Sequence, residues 1–240
     1  MSLLGTAAMV FWHDVDSSDD DYKDWHSNEH MTERVSVPGF LRGRRARAVM
    51  GHPQYFIMYE VDAIGVLTSK AYLDRLNDPS PWTRKVLARY RDSNRTLCRL
   101  EQSWGLGTGT LLTTCRMVPA EDRADQLRDW VENIFLENCV SKGSIVGAHF
   151  LTVDEVASHA ETKEKKLRDR PDEVASWVLI VEGYDEDSMR SIVDRALQPE
   201  QLEVTGAASS YTAIYQLEHI ASDADIRCAR PGRVNGPKRE

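Results

Sequence analysis

Apolar and polar positions follow one another along the first half of the chain in an order that predicts strand, helix, strand, strand, helix, strand. Runs that are apolar, or that alternate with polar positions, predict strands; these cover residues 6–13, 40–50, 54–62 and 96–104. Apolar residues spaced three or four apart predict helices; these cover residues 19–37, 66–77 and a turn or two within 84–92. The helix 19–37 is followed directly by Pro38-Gly39, a pair that stops helices.

The same order begins again after the glycine-rich stretch at 105–109. Strands are predicted over 110–117, 144–153, 176–184 and 210–219, and helices over 120–139 and 188–197. Trp25 and Trp130 take equivalent places in the first helix of each half, 105 residues apart. A period this long indicates a duplicated domain. We therefore predict a first half over 1–106, a second half over 107–220 and a flexible basic tail over 221–240.

Each half predicts an α+β unit of ferredoxin-like topology, βαββαβ, in which both helices cover one face of a four-stranded antiparallel sheet. The uncovered face needs a partner, because one face of such a sheet is apolar. We predict that the two tandem units pack sheet to sheet as an α+β barrel. A small-molecule cavity is expected between the two sheets.

Composition and charge narrow the function classes. Hydrophobic residues make up 41% and charged residues 28% of the chain, as in ordinary globular proteins. The net charge of −8 argues against nucleic-acid binding, and no long apolar segment or signal peptide predicts a membrane partner. The four cysteines lack metal or disulfide spacing, which predicts reduced thiols. We expect a cytoplasmic protein with a small-molecule substrate, and homodimerisation stays open.

The strongest chemical signal lies in the first helix. His26 and His30 are four residues apart, so they share one helix face. We predict that His30, together with His26, transfers protons, with Glu29 or Asp14 setting tautomer and pKa. The same two histidines would hold a metal if one is bound, but no third ligand follows from the spacing. A solvated helix face is the alternative that involves no chemistry.

Arginines follow on the next strand, where Arg42 and Arg44 share one face and two further arginines share the other. We predict that Arg44 holds an anionic part of the substrate, with Arg42 as a substrate-binding neighbour. Tyr59, Trp82 and Trp12 are predicted to line the pocket. Surface ion pairs for the arginines, and simple core filling for the aromatic residues, remain the alternatives.

The segment Trp25-His26-Ser27-Asn28-Glu29-His30, followed by Val37-Pro38-Gly39-Phe40 and Arg42-Gly43-Arg44-Arg45, resembles the dimeric α+β barrel superfamily. Within it the EthD-like proteins, with W-H-x-x-E-H and P-G-F-x-x-x-R signatures, are the most similar group. The resemblance covers about residues 6–104 by motif and 110–219 by architecture alone. It implies a ferredoxin-like fold and a pocket, but the superfamily includes cofactor-free monooxygenases, dehydratases, isomerases and haem enzymes.

The leading hypothesis is a small-molecule enzyme of a catabolic pathway that needs no cofactor. Its proton-transfer chemistry would be that of a dehydratase, hydratase or isomerase-like lyase, on an aromatic or carboxylated metabolite. One alternative is a metal- or haem-dependent oxygenase or lyase on the same barrel. A second is a non-catalytic small-molecule-binding or accessory protein. Phe135 stands where His30 stands in the first half, so we expect one active pocket, with the second half as scaffold.

Overall fold

The computed structural model describes residues 3–16, 19–140, 143–168 and 170–228. Within these ranges eight antiparallel strands close into one barrel in the order β1-β3-β2-β8-β5-β7-β6-β4. The strands are β1 Ala7–Val15, β2 Phe40–Met50, β3 Tyr55–Val61, β4 Tyr90–Gly105, β5 Leu111–Pro119, β6 Ile145–Val153, β7 Trp177–Gly183 and β8 Ala207–Ser222.

Helices cover the outside of the barrel. The helices of the first half are α1 Asp19–Trp25, α2 Met31–Val35, α3 Lys70–Asn77 and α4 Pro81–Leu87. Those that follow are α5 Ala124–Asp129, α6 Leu136–Val140, α7 Glu155–His159, α8 Glu186–Ala196, α9 Pro199–Thr205 and α10 Asp223–Cys228. A π-helical turn, His26–His30, joins α1 to α2, and a second, Trp130–Phe135, joins α5 to α6. Short 3-10 helices lie at Ile64–Thr68 and Lys165–Leu167.

The barrel consists of two ferredoxin-like sheets, which confirms the predicted α+β fold of two tandem units. β1 to β4 form one sheet in the order β4-β1-β3-β2, and β5 to β8 repeat it as β8-β5-β7-β6. The sheets join along their edges, β2 against β8 and β4 against β6. Closing the barrel in this way leaves neither sheet with an unpaired edge.

Side chains fill the space between the two sheets. Alternate residues of each strand point inward, and Val10, Trp12, Phe56, Met58 and Tyr215 are among those buried in this interior cluster. The predicted cavity between the sheets is replaced by this packed core. A cavity lies on the opposite, helix-covered face of the first sheet.

Some element boundaries differ from the sequence prediction for identifiable reasons. The helix expected within 84–92 begins earlier, at Pro81, because the Ser80 hydroxyl caps it by accepting from the Thr83 amide. The strand that follows begins at Tyr90. In the predicted tail, residues 221–228 contain the end of β8 and α10, and residues 229–240 lie outside the described residues.

Candidate active site

The histidine motif lies on the helical run that covers the first sheet. The π turn between α1 and α2 carries His26 and His30 at its two ends, with ring centroids 5.7 Å apart. Both side chains are buried. Single π turns within α-helices occur often at functional sites. The two histidines predicted from spacing are therefore brought together and face a cavity.

Hydrogen bonds anchor this helical run to α4. The indole of Trp25 donates to the Thr83 hydroxyl at 3.1 Å, and its ring packs on His30 with centroids 4.3 Å apart. Glu29 accepts hydrogen bonds from the hydroxyls of Ser80 and Thr83. Asp14 accepts one from the Gln54 amide. The prediction that Glu29 or Asp14 orients the histidines is therefore wrong, because both carboxylates bond elsewhere.

Burial keeps both histidines neutral at neutral pH. Desolvation lowers the pKa of His26 well below its ordinary value, and Arg45 lowers it further. Desolvation does the same to the pKa of His30, with Arg34 as the next cause. The Nδ1 atoms of both rings are buried without a hydrogen-bond partner. Neutral imidazoles can accept a proton at one nitrogen and donate one from the other.

The cavity is narrow. The space inside it that is open to a water molecule is about 20 Å³. That is room for one ordered water. Its apolar walls come from the helix-facing side of β1 and β3 and from α3 and α4: Met9, Phe11, Ile57, Leu76 and Leu87. A larger ligand can enter only if part of the wall moves.

Tyr59 supplies a polar atom in these walls. Its hydroxyl is buried and has no hydrogen-bond partner, and burial raises its pKa well above the ordinary tyrosine value. The hydroxyl therefore stays protonated and can donate to a ligand. Gly43 makes room for this ring, because a Cβ there would lie 2.8 Å from Tyr59 Cε1 and 2.9 Å from Met31 Cγ.

Other aromatic residues extend the polar part of the site. The hydroxyl of Tyr22 lies 3.1 Å from Nε2 of His13, and the His13 ring stacks on Tyr90 at 4.0 Å between centroids. Tyr90 lines the cavity, and burial raises its pKa. These contacts form a connected row of neutral, titratable side chains from the end of β1 to the cavity.

The second half of the chain closes one side of the cavity. The connection between β6 and β7 crosses to the first half and contributes Glu164 and Arg168 to the wall. Glu164 forms a buried ion pair with Arg34, and the Arg168 guanidinium lies 4.8 Å from the centre of the Phe11 ring. The Glu164 amide also donates to the Leu76 carbonyl. The second half was expected to serve only as scaffold, but it supplies two residues of the cavity wall.

Arg44 and Arg42 lie away from the histidines, on the barrel interior. Arg44 is buried between two carboxylates, with Nε 3.0 Å from Glu60 and Nη1 2.8 Å from Glu182. Arg42 pairs with the same Glu60, and His149 lies 3.2 Å from Glu182. Arg44 and His149 hold the Glu182 pKa at about 2. The predicted role of Arg44 as a clamp beside His30 is corrected, because that face of β2 points into the core.

The two tryptophans predicted for the pocket also lie elsewhere. Trp12 is in the barrel interior, where its indole donates to the Thr114 hydroxyl at 3.1 Å. Trp82 lies half-buried on α4 and donates to Asp21 at 3.2 Å. Neither lines the cavity. Of the residues predicted for the site, the structure brings together His26, His30 and Tyr59.

Sequence reasoning missed several residues of the cavity wall, namely Tyr72, Tyr90, Arg95, Glu164 and Arg168. Arg34 lies on α2, four residues after His30, and no role was predicted for it. Glu164 and Arg168 lie more than a hundred residues from the histidines, and no local pattern marks them. Arg95 shares the helix-facing side of β4 with Leu97. The alternation of faces along this strand was the one sequence signal that could have placed Arg95 on the cavity side.

The described residues contain no group of three or more histidine, cysteine, aspartate or glutamate side chains arranged to hold a metal ion. As its side chains are packed, the cavity has room for little more than a water, so a haem and an aromatic substrate would both require the wall to move. In the part of the chain that the structure describes, no helix has the length and apolar character to span a membrane.

No protein-family model matches this sequence, and a search of curated proteins finds no significant match. Solved structures do match the fold. An anthrone oxidase-like protein superposes with a TM-score of 0.61 at 11% identity, covering 91% of this chain and 93% of that one. A candidate monooxygenase from Fusobacterium nucleatum gives 0.58 at 10% identity, covering 92% and 96%. A candidate monooxygenase from Lactobacillus acidophilus has a TM-score of 0.54 at 11% identity, covering 91% of this chain and 97% of that one.

At this level of identity the similarity concerns the fold. Each of these structures is covered over almost its whole length, so the match includes both halves of the barrel. The closed eight-strand barrel within the described residues agrees with it. The resemblance to EthD-like proteins rests on the sequence motif alone, and no family model matches. The chain therefore has the fold of the dimeric α+β barrel superfamily, with both ferredoxin-like halves in one polypeptide.

Proposed function

We propose that this protein is a cofactor-independent enzyme in which His30 transfers a proton to or from a small aromatic substrate in the helix-side cavity. One observation carries the proposal. The Nδ1 atoms of His26 and His30 and the hydroxyl of Tyr59 are all buried without a partner, and all three side chains line the same cavity. Buried polar atoms nearly always have a hydrogen-bond partner. Three unpartnered atoms around one cavity therefore favour a ligand that forms hydrogen bonds with them.

The chemistry follows from the protonation states. A neutral His30 accepts a proton from an acidic C–H or O–H bond of the substrate. The Tyr59 hydroxyl donates a hydrogen bond to the oxygen on which negative charge then accumulates, which stabilises that charge in a site with little water. His30 returns the proton to another atom in an isomerisation, or to a leaving hydroxyl in a dehydration. A water between the two rings, whose centroids are 5.7 Å apart, would let His26 relay the proton.

The same deprotonation would also begin an oxygenation, because an electron-rich carbanion or phenolate can react with dioxygen. The names of the similar structures, one anthrone oxidase-like and others candidate monooxygenases, make this the second reaction class to test. Dioxygen consumption separates the two, since isomerisation and dehydration consume none.

The test uses carbon acids of increasing ring number, with anthrone as the largest. Wild-type protein should catalyse exchange of the acidic C–H for deuterium in D2O, followed by NMR, with an oxygen electrode run in parallel. His30→Gln should lower the exchange rate on the order of 100-fold or more. His159→Gln is the matched control, because His159 is exposed on α7, and it should leave the rate unchanged.

Two outcomes would contradict the proposal. Equal exchange rates in wild type and His30→Gln would remove His30 as the base. Binding of these compounds without exchange or turnover would favour the non-catalytic binding protein instead. Tyr59→Phe offers an independent check, because loss of one hydrogen bond to a developing oxyanion should lower the rate by about 100-fold while substrate affinity changes little.

A further inference from the structure

Three guanidinium groups line the cavity, and their counter-ions are unequal. Arg34 pairs with Glu164 and Glu33, and Arg168 pairs with Asp172. Arg95 donates to the Tyr72 hydroxyl at 3.0 Å, and among the described residues no carboxylate lies within ion-pair distance of it. Arg95 is only 5% exposed. Among the described residues, Arg95 is therefore a buried guanidinium of the cavity wall with no carboxylate in contact with it.

A buried guanidinium of this kind is unfavourable unless something compensates it. Arginine keeps its proton in proteins, so Arg95 cannot become neutral as the buried histidines do. Removing a charge from water without a partner destabilises the fold. The cost is acceptable where a ligand supplies the missing anion. Tyr72 occupies one donor nitrogen of Arg95, and the planar group has further donors for a carboxylate.

The surroundings of Arg95 define the rest of the ligand. In the β1–β4 register Arg95 is directly opposite Phe11, and both side chains line the cavity. Met9 and Ile57 continue this apolar floor. An anion bound by Arg95 would therefore have its apolar part on an aromatic and aliphatic surface, with His30 and Tyr59 in the same cavity.

We propose that the ligand of this cavity is an aromatic carboxylate and that Arg95 binds its carboxylate group. Arg95 is then the residue that determines specificity for acids over neutral aromatic compounds. The inference rests on the proposed function only where it treats the bound acid as the substrate. Binding of the acid can be measured without turnover.

The test compares two probes of the same shape, 2-hydroxybenzoate and 2-hydroxybenzamide, by isothermal titration calorimetry. Wild type should bind the acid at least 10-fold more tightly than the amide, since charge-assisted bidentate hydrogen bonds are stronger than neutral ones. Arg95→Met should weaken binding of the acid 10-fold or more and leave the amide unchanged. Equal affinity for both probes in wild type, or an acid affinity that Arg95→Met does not change, would overturn the proposal.

A second set of variants separates binding from folding. Arg95→Met leaves the Tyr72 hydroxyl without its partner, so Arg95→Met/Tyr72→Phe removes both groups together. This double variant should melt at the wild-type temperature or above it, yet show no preference for the acid. Tyr72→Phe is the matched control and should keep that preference. A double variant that still prefers the acid would also overturn the proposal.

The outcomes distinguish this inference from the proposed function. His30→Gln should keep the preference for 2-hydroxybenzoate. If the acid binds in an Arg95-dependent way and nothing is turned over, the proton-transfer proposal fails and the carboxylate site stands. If neutral substrates are turned over in a His30-dependent way and Arg95→Met has no effect on kcat/KM, the carboxylate site fails and the proton-transfer proposal stands.

Discussion

At the scale of single residues, burial decides the chemistry of this site. The sequence alone shows His26 and His30 only as two histidines on a predicted helix. Their i, i+4 spacing fits either a pair of metal ligands or a solvated helix face. In the fold both rings are buried among aromatic and cationic neighbours, and their pKa values are lowered. The lowered pKa keeps both imidazoles unprotonated at neutral pH, which is the form in which a histidine accepts a proton. The spacing predicted which side chains meet, and burial determined their protonation state.

The lowered pKa values predict how stability depends on pH. The buried histidines are neutral in the fold, whereas in the unfolded chain they titrate near 6.5. Below that pH the unfolded state binds more protons, so protonation favours unfolding. The free energy of unfolding should be constant above about pH 7 and decrease below pH 6.5, by up to about 1.4 kcal/mol per pH unit for each such histidine.

The measurement is urea denaturation between pH 5 and pH 8. The variant His30→Phe has the residue that stands at the equivalent position of the second half, Phe135. Below pH 6.5 its free energy of unfolding should fall less steeply with decreasing pH than that of wild type, because one fewer proton is bound on unfolding. His159→Gln, at an exposed position, should not change it. A slope in His30→Phe equal to that of wild type would contradict a lowered pKa at His30. The carboxylate Glu182, with a pKa of about 2, contributes its own loss of stability only below about pH 4.5.

At the scale of elements, the two halves share a local irregularity that the hydrophobic pattern did not predict. The π turn His26–His30 and the π turn Trp130–Phe135 lie at equivalent places in the two repeats. Asn28 and Asn133 occupy corresponding positions in them, and each bonds back to the aspartate four residues earlier. The duplication therefore kept the backbone irregularity in both halves, whereas the histidines occur in only one.

Deleting one residue from each π turn tests its role. Each α-helical residue turns the chain by about 100°, so deleting Asn28 should convert the turn to regular helix and rotate His26 relative to His30. We expect loss of turnover on the order of 100-fold, with near-ultraviolet circular dichroism and melting temperature showing a folded protein. Deletion of Asn133 is the matched control and should leave turnover unchanged. Full activity after deletion of Asn28 would show that the π turn is not needed.

At the scale of the whole molecule, the second half completes the site of the first. The β6–β7 connection packs against the helices of the first half and closes the cavity with the Arg34–Glu164 ion pair. Both partners are buried. Breaking a buried pair leaves one charge without compensation, which is more costly than replacing both partners by apolar residues.

A double-mutant cycle tests this coupling. Glu164→Ala should lower the free energy of unfolding by up to about 3–5 kcal/mol, since the buried Arg34 then has only the partly exposed Glu33 as a counter-ion. Arg34→Met/Glu164→Leu should recover most of that loss. Asp74→Ala removes a partner of the exposed Lys70–Asp74 pair and should change little. Additive losses in the Arg34 and Glu164 variants, measured by urea denaturation, would show that the pair does not couple the halves.

The sequence by itself determined the duplicated βαββαβ order, the faces of β2 and β3, and the helix that carries both histidines. These follow from the local periodicity of apolar positions, which is the same for a strand or helix whatever it packs against. Tertiary structure decided that the inner faces would fill the barrel, that Arg44 would pair with carboxylates there, and that the cavity would lie under the helices. It also brought Arg95, Glu164 and Arg168 to the cavity. These outcomes depend on contacts between distant segments, and the free energy of burying each charge is set by the neighbours that the fold supplies.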